Sequence, residues 1–195
     1  MGLKIAITGG IGSGKSLVGQ YLKAKGYPVF SCDEIYKEVI TLPVYIKKIG
    51  EAFPDCIQNE GIDRKILAKI VFDNKEKLRL LNSIAHPLIM EKLFEYMNNS
   101  QNELVFAEVP LLFEGNHESS FDKVIVITRE QESRIQSIME RDSISREEAL
   151  KRMQVQFDYS KLKNNASTKS FILENNASTD QLENCLNEIL FLLKE

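Results

Sequence analysis

One segment constrains the fold of this chain more than any other. Gly9-Gly10-Ile11-Gly12-Ser13-Gly14-Lys15-Ser16 fits G-x-x-x-x-G-K-[ST]. It follows a short apolar run, Lys4-Ile5-Ala6-Ile7-Thr8, which reads as a buried strand. It leads into a helical stretch from Lys15 to Lys25, stopped by Gly26. Four fixed positions match by chance in a chain of this length with odds on the order of one in a hundred. Strand, glycine-rich turn and helix in that order form a phosphate-binding loop. Glycines let backbone N–H groups approach phosphate oxygens, and the helix points its positive end at them. The pattern makes Gly10, Ile11, Gly12, Ser13, Gly14, Lys15, Ser16 and Leu17 the expected ATP contacts. Lys15 reaches the β- and γ-phosphates, and the Ser16 hydroxyl suits Mg²⁺.

The remaining elements extend this start. Tyr27-Pro28-Val29-Phe30 reads as a second strand, and Leu104–Val109, Lys123–Thr128 and Phe171–Leu173 as further strands. From Glu34 to about Ser100 the pattern is helical, with Arg64–Phe72 and Lys75–Met97 carrying apolar residues at three-to-four spacing. His86-Pro87 predicts a boundary or kink in the second of these, because proline disfavours helical backbone in the residue before it. Helices are also expected over Glu130–Arg141, Ser145–Phe157 and Ser178–Lys194. Ser145 with Glu148 forms a capping-box pattern. Asn-Asn-Ala-Ser-Thr occurs at 164–168 and at 175–179, the second copy reading as a cap for the last helix. Alternating strands and helices with a helical block after the second strand predict a three-layer α/β domain with a parallel sheet and a helical insertion.

Composition sets outer bounds. The 195 residues suit one domain with a large insertion. Lys and Arg number 25 against 28 Asp and Glu, and the net charge of −3 argues against general nucleic-acid binding. No apolar run approaches a membrane span, and Ile5-Ala6-Ile7 is too short for a signal segment. Cys32, Cys56 and Cys185 form no CxxC pair and suit free thiols in a reducing cytoplasm. Oligomeric state is not legible.

A phosphate loop does not name a reaction. The guanine-selecting Asn-Lys-x-Asp is missing, since Asn74-Lys75 is followed by Glu76-Lys77 within the helical block. Asp33 stands at the end of the second strand, where open α/β sheets place ligands. There it either takes a proton from an acceptor hydroxyl or caps the next helix. Position alone does not separate the two.

The chain resembles the dephospho-coenzyme A kinase family of the P-loop kinases. The resemblance rests on Thr8–Ser16, Asp33, Asp63-Arg64, His86-Pro87-Leu88-Ile89, Val109-Pro110-Leu111-Leu112-Phe113-Glu114, Gln136 to Arg141-Asp142, and Arg152-Met153 with Gln156. It implies a nucleotide-binding core over 1–33 and 101–195, a lid over about 134–165 and a helical CoA-binding domain over 34–100. It implies ATP-dependent phosphorylation of the dephospho-CoA ribose 3′-hydroxyl, with ATP and dephospho-CoA as substrates and Mg²⁺ as companion. Carried onto these residues, Lys15, Asp33 and Arg141 become catalytic, and Asp33, Arg64 and His86 substrate contacts. Glu108 becomes an acid organising Mg²⁺ water. Arg134 and Arg146 are further lid candidates, and Glu114 reads as a structural acid. Against these roles, Arg141 also reads as an exposed helix-end charge beside Asp142, and His86 as a residue that satisfies a helix break. Leu17 replaces a second hydroxyl after Lys-Ser, and Ser31 an Asp two positions before Asp33. Two alternatives stay open: a kinase of the same fold for another small acceptor, such as a nucleoside monophosphate, and a nucleotide-dependent switch without transfer activity.

Overall fold

The computed structural model describes residues 2–58, 61–72, 74–159, 162 and 169–194. The chain divides into two compact units, one of Met1–Phe30 with Met97–Glu195 and the other of Ser31–Tyr96.

The first unit is built on strands β1 (Leu3–Gly9), β2 (Val29–Ser31), β5 (Leu104–Glu108), β6 (Lys123–Thr128) and β7 (Ser170–Glu174). The strands β3 (Ile57–Gln58) and β4 (Gly61–Ile62) belong to the other unit. The five strands form one sheet in the order β2-β5-β1-β6-β7. β1 lies parallel to both β5 and β6, and β6 parallel to β7. In register, Ile5 pairs with Phe106 and Ile7 with Ile125, so these side chains share one face. Leu104, Ile127 and Leu173 extend that face. It is covered by Val18 and Leu22 of α1 (Lys15–Ala24) and by Leu182, Leu186, Ile189 and Leu190 of α8 (Thr179–Leu192). Each such burial contributes about 1.5–3 kcal/mol. On the other face Ala6, Val105, Ala107, Val124 and Val126 are buried too. A sheet apolar on both sides is what parallel strands with helical crossovers require. The second strand begins two residues later than its composition suggests. Tyr27 still closes α1 through its N–H to the Leu22 carbonyl.

Helices α6 (Gln131–Asp142) and α7 (Arg146–Gln154) follow β6. Ser145 and Glu148 form the expected capping box, and the Ser178 hydroxyl accepts from the Gln181 amide at the start of α8. The first Asn-Asn-Ala-Ser-Thr copy, 164–168, lies outside the described residues.

The second unit contains α2 (Cys32–Val39), α3 (Pro43–Ala52), the β3–β4 hairpin, α4 (Arg64–Phe72) and most of α5 (Lys75–Asn99). Its core gathers Ile35, Val39, Tyr45, Ile49, Phe53, Leu67 and Leu93. Asp63 caps α4 by accepting the Lys65 and Ile66 amides at 2.9 and 3.0 Å. Of the boundary or kink expected at His86-Pro87, the boundary is not there: α5 runs through with Pro87 inside it. A proline's fixed φ is itself helical, and the lost hydrogen bond is one among many in 25 residues. Burial of Ala85, Met90 and Leu93 on either side offsets it. Among the described residues, no helix is long and apolar enough to cross a membrane.

Candidate active site

The central strand β1 ends at Gly9, where its neighbours also end. Ile7 pairs with Glu108 and Gly9 with Ile127, so Glu108 and Thr128 emerge at the same sheet edge as the loop. The loop turns through Gly12 at φ +77° and Gly14 at φ +102°, values that only glycine adopts without strain. Gly14 is the N-cap of α1. No side chain caps this helix, and no acidic residue stands in its first turn. α7 and α8, by contrast, carry serine caps. The positive end of α1 is therefore directed at the loop with no acidic residue of its own first turn to offset it. Lys15 lays its ammonium on the loop, donating to the Gly9 and Gly10 carbonyls at 2.8 and 3.1 Å. Asn175, just past β7, donates its side-chain amide to the Ser13 carbonyl at 2.9 Å. The Ser13 hydroxyl is buried and has no hydrogen-bond partner among the described residues. Ser16 and Leu17 are exposed.

A cavity of about 560 Å³ opens beside the loop, lined among others by Gly10, Ser13, Arg129, Arg134, Gln156 and Tyr159. Arg134 donates its Nε–H to the Ile11 carbonyl at 2.9 Å. A Cβ on Gly10 would run into its guanidinium tip. Arg129 donates to the Ser137 hydroxyl at 2.8 Å and more weakly to the Gly12 carbonyl at 3.5 Å. Neither arginine pairs with a carboxylate among the described residues. Burial lowers the Arg134 pKa from the ordinary arginine value. That value is so high that the group stays cationic. Burial likewise raises the Tyr159 phenol, whose oxygen lies 3.3 Å from the Thr8 hydroxyl, so the ring stays neutral. Tyr159 is wedged edge-on against Phe113 and Phe157, themselves stacked at 4.7 Å between centroids. The site thus presents fixed positive charge, backbone dipoles and a partly apolar wall, a combination suited to a polyphosphate with an organic body.

The other expected residues fall in different places. Asp33 is the second residue of α2 and is exposed; the N-cap is Ser31, so Asp33 does not cap that helix. Arg141 lies in the last turn of α6 and is held by Asp142 through two hydrogen bonds of 2.7 and 3.0 Å, with 61% of its side chain exposed. Asp142 also takes Arg152. Arg141 is not among the residues lining the cavity, whereas Arg134 is. Arg146 is engaged by Glu132 in a bidentate pair. Glu108 is half-buried at the end of β5 and packs against the Cα of Gly19 in α1. Glu114 accepts the Phe157 amide at 2.9 Å, a structural contact. His86 is half-buried within α5. Arg64 opens α4 and lines a separate cavity of about 340 Å³ in the second unit, with Tyr36, Tyr45 and Leu67. There the Tyr36 and Tyr45 hydroxyls lie 3.3 Å apart, and burial raises the Tyr45 pKa.

Arg129, Tyr159 and Asn175 are site residues that the sequence reading did not single out. Arg129 and Asn175 each directly follow a strand, β6 and β7. The rule that open α/β sheets bind ligands beyond their carboxyl ends was therefore a usable signal for both. Nothing in the sequence marks Tyr159.

Comparison with known proteins follows from this geometry. A family model described as dephospho-CoA kinase matches residues 3–181. A dephospho-CoA kinase from Fusobacterium nucleatum is 37% identical over 182 residues, covering 91% of this chain and 92% of that protein. A crystal structure from Thermus thermophilus superposes with TM-score 0.82 at 32% identity over 98% of both chains. A dephospho-CoA kinase structure from Campylobacter jejuni gives TM-score 0.63 at 27% identity, covering 97% of this chain and 96% of that one.

Proposed function

The chain belongs to the dephospho-CoA kinase family, and on that premise we propose that it transfers the γ-phosphoryl group of ATP to the ribose 3′-hydroxyl of dephospho-CoA, giving coenzyme A and ADP. The observation that carries this reading is the phosphate loop itself: an uncapped α1 N-terminus, Lys15 on the loop carbonyls, and two arginines that have no carboxylate partner among the described residues and face the same cavity. Phosphoryl transfer asks a protein mainly for positioning and for stabilisation of spreading negative charge. Loop amides and Lys15 hold the β- and γ-phosphates. Arg129 and Arg134 add charge from the α6 side. Arg141 joins them once its pairing with Asp142 is exchanged for phosphate. Asp33, exposed and uncommitted to a cap, accepts the proton of the attacking hydroxyl.

Mg²⁺ fits these residues. Among the described residues no cluster of three His, Cys, Asp or Glu exists to cage a metal. A cation carried mainly by phosphate oxygens and water needs none. The exposed Ser16 hydroxyl would hold it directly and Glu108 through water. When bound, the ion neutralises charge on the transferring group. The helical segment 34–100 serves as the acceptor-binding domain, with Arg64 and His86 as its contacts, and about 134–165 as the lid, of which 160, 161 and 163–165 lie outside the described residues. Cys32, Cys56 and Cys185 are far apart in sequence and form no CxxC pair, which supports a cytoplasmic setting.

The test is direct. Purified protein with Mg-ATP and dephospho-CoA yields CoA and ADP in equal amounts, read by chromatography. Absence of CoA at saturating enzyme, or faster transfer to a nucleoside monophosphate, overturns the reading.

A further inference from the structure

Ile11 has both of its backbone groups taken by side chains from outside the loop. Its N–H donates to Gln156 Oε1 at 2.7 Å, and its carbonyl accepts the Arg134 Nε–H at 2.9 Å. The two partners bracket the helical hairpin. Arg134 lies in the first turn of α6, and Gln156 stands two residues past the end of α7. The Ile11 side chain packs against the hairpin's own apolar cluster of Ile135, Ile138 and Ala149. The opposite approach is equally close, since a Cβ on Gly12 would sit 2.7 Å from the Arg134 carbonyl. Ile11 is flanked by Gly10 and Gly12, and a glycine-rich loop gains conformational entropy when its partners are lost.

We propose that Gln156, with Arg134 opposite, is a positioning residue that fixes the phosphate loop in its nucleotide-binding conformation through the Ile11 peptide. In this role Gln156 acts through its hydrogen bond from the Ile11 amide, keeping the loop's amides in place before nucleotide arrives. A nucleotide meeting an unfixed loop binds only the competent fraction, so its apparent affinity falls by that fraction. The acceptor side and the rate at saturating ATP are left unchanged. The inference rests on the reading that this loop binds ATP, but its readout does not need the acceptor.

The experiment measures Mg-ADP affinity by titration calorimetry, and KM for ATP, KM for dephospho-CoA and kcat, for wild type, Gln156→Leu and Gln156→Glu. Leucine removes the acceptor, and glutamate retains it. Gln156→Leu weakens ADP binding and raises KM for ATP together by about fivefold to tenfold, the worth of one hydrogen bond. Its kcat, KM for dephospho-CoA and melting temperature stay near wild type, and Gln156→Glu, which keeps the acceptor but adds a charge beside the phosphates, regains ADP affinity relative to Gln156→Leu as added salt screens that charge. Unchanged ADP affinity, or a loss spread over kcat and both KM values, overturns the proposal. If Gln156→Leu does not fold, Gln156→Met, which also removes the amide oxygen and keeps the length of the side chain, carries the same readout. Wild type that binds ADP but makes no CoA defeats the functional reading, while the ADP affinities still decide this one.

Discussion

Arg134 reaches from the first turn of α6 to the carbonyl of Ile11 at 2.9 Å, and its guanidinium tip lies over Gly10. The contact puts a cation on the loop that the sequence pattern of the loop does not contain. Gly10 is what makes room for it. Its φ is not in the left-handed region, so alanine suits the backbone there, and the obstacle is the arginine tip alone.

Gly10→Ala is therefore expected to fold and to push the guanidinium aside, with a melting temperature a few degrees lower. A charge-assisted hydrogen bond is worth about 1.5–3 kcal/mol, so KM for ATP rises about tenfold or more. Arg134→Ala does the same, and the double variant is no worse than the poorer single one, because both remove one interaction. Steady-state kinetics on the four proteins checks this; additive effects would show that Gly10 acts on its own.

Asp33→Asn is expected to fold as wild type does, since Asp33 is exposed and Ser31 holds the N-cap position. Nucleotide affinity stays, while kcat drops by about 10²–10⁴, the usual loss when a general base is removed. Single-turnover transfer with saturating dephospho-CoA measures it. Wild-type turnover in this variant would remove Asp33 from the chemistry.

The framework was legible because it depends on local chemistry. The continuous apolar run inside Lys123–Thr128, Gly26 after α1, and Ser145 with Glu148 are signals carried within a few residues. The loop was legible for the same reason. What surrounds it was legible only in part: Arg134 was a lid candidate and Gln156 belonged to the resemblance, but the contacts that Arg134, Gln156, Tyr159 and Asn175 make with Ile11, Thr8 and Ser13 come from more than 120 positions away. Such contacts are set by strand order and by where the α6–α7 hairpin seats, and no short window contains them. Arg141 stood out in sequence beside a recognisable Arg-Asp pair. That pair turns out to bind the arginine to its own neighbour.

Asp142 gives the hairpin a pH dependence. Its carboxyl is held below the usual range by the hydrogen bond from Arg141 first, with Arg152 adding to it. A carboxylate with a lowered folded-state pKa stabilises above its unfolded value of about 3.9, and the effect is lost as pH falls through the lower folded one. Hydrogen-exchange protection at the end of α6 and along α7 is thus constant from neutral pH to about pH 4 and declines below it. Asp142→Asn lacks the charge at every pH and shows the reduced protection already at pH 7. Equal protection in both proteins at pH 7 would contradict the role assigned to this carboxylate.

Pro87 offers a test of why α5 does not break. The residue is exposed inside a helix of 25 residues. It lacks the N–H that would pair with the Ser83 carbonyl four residues earlier. Alanine restores that donor and removes no buried contact. The interior penalty of proline relative to alanine is about 3 kcal/mol, and the looser unfolded chain of the variant returns about 0.4–1 kcal/mol of it. Pro87→Ala is therefore expected to stabilise the protein by about 1–2 kcal/mol, less than the difference because packing has already accommodated the proline. Urea unfolding followed by circular dichroism reads this as a higher midpoint with an unchanged slope. A lower midpoint would mean that the ring itself fills a packing site, and that α5 holds its course through Pro87 rather than in spite of it.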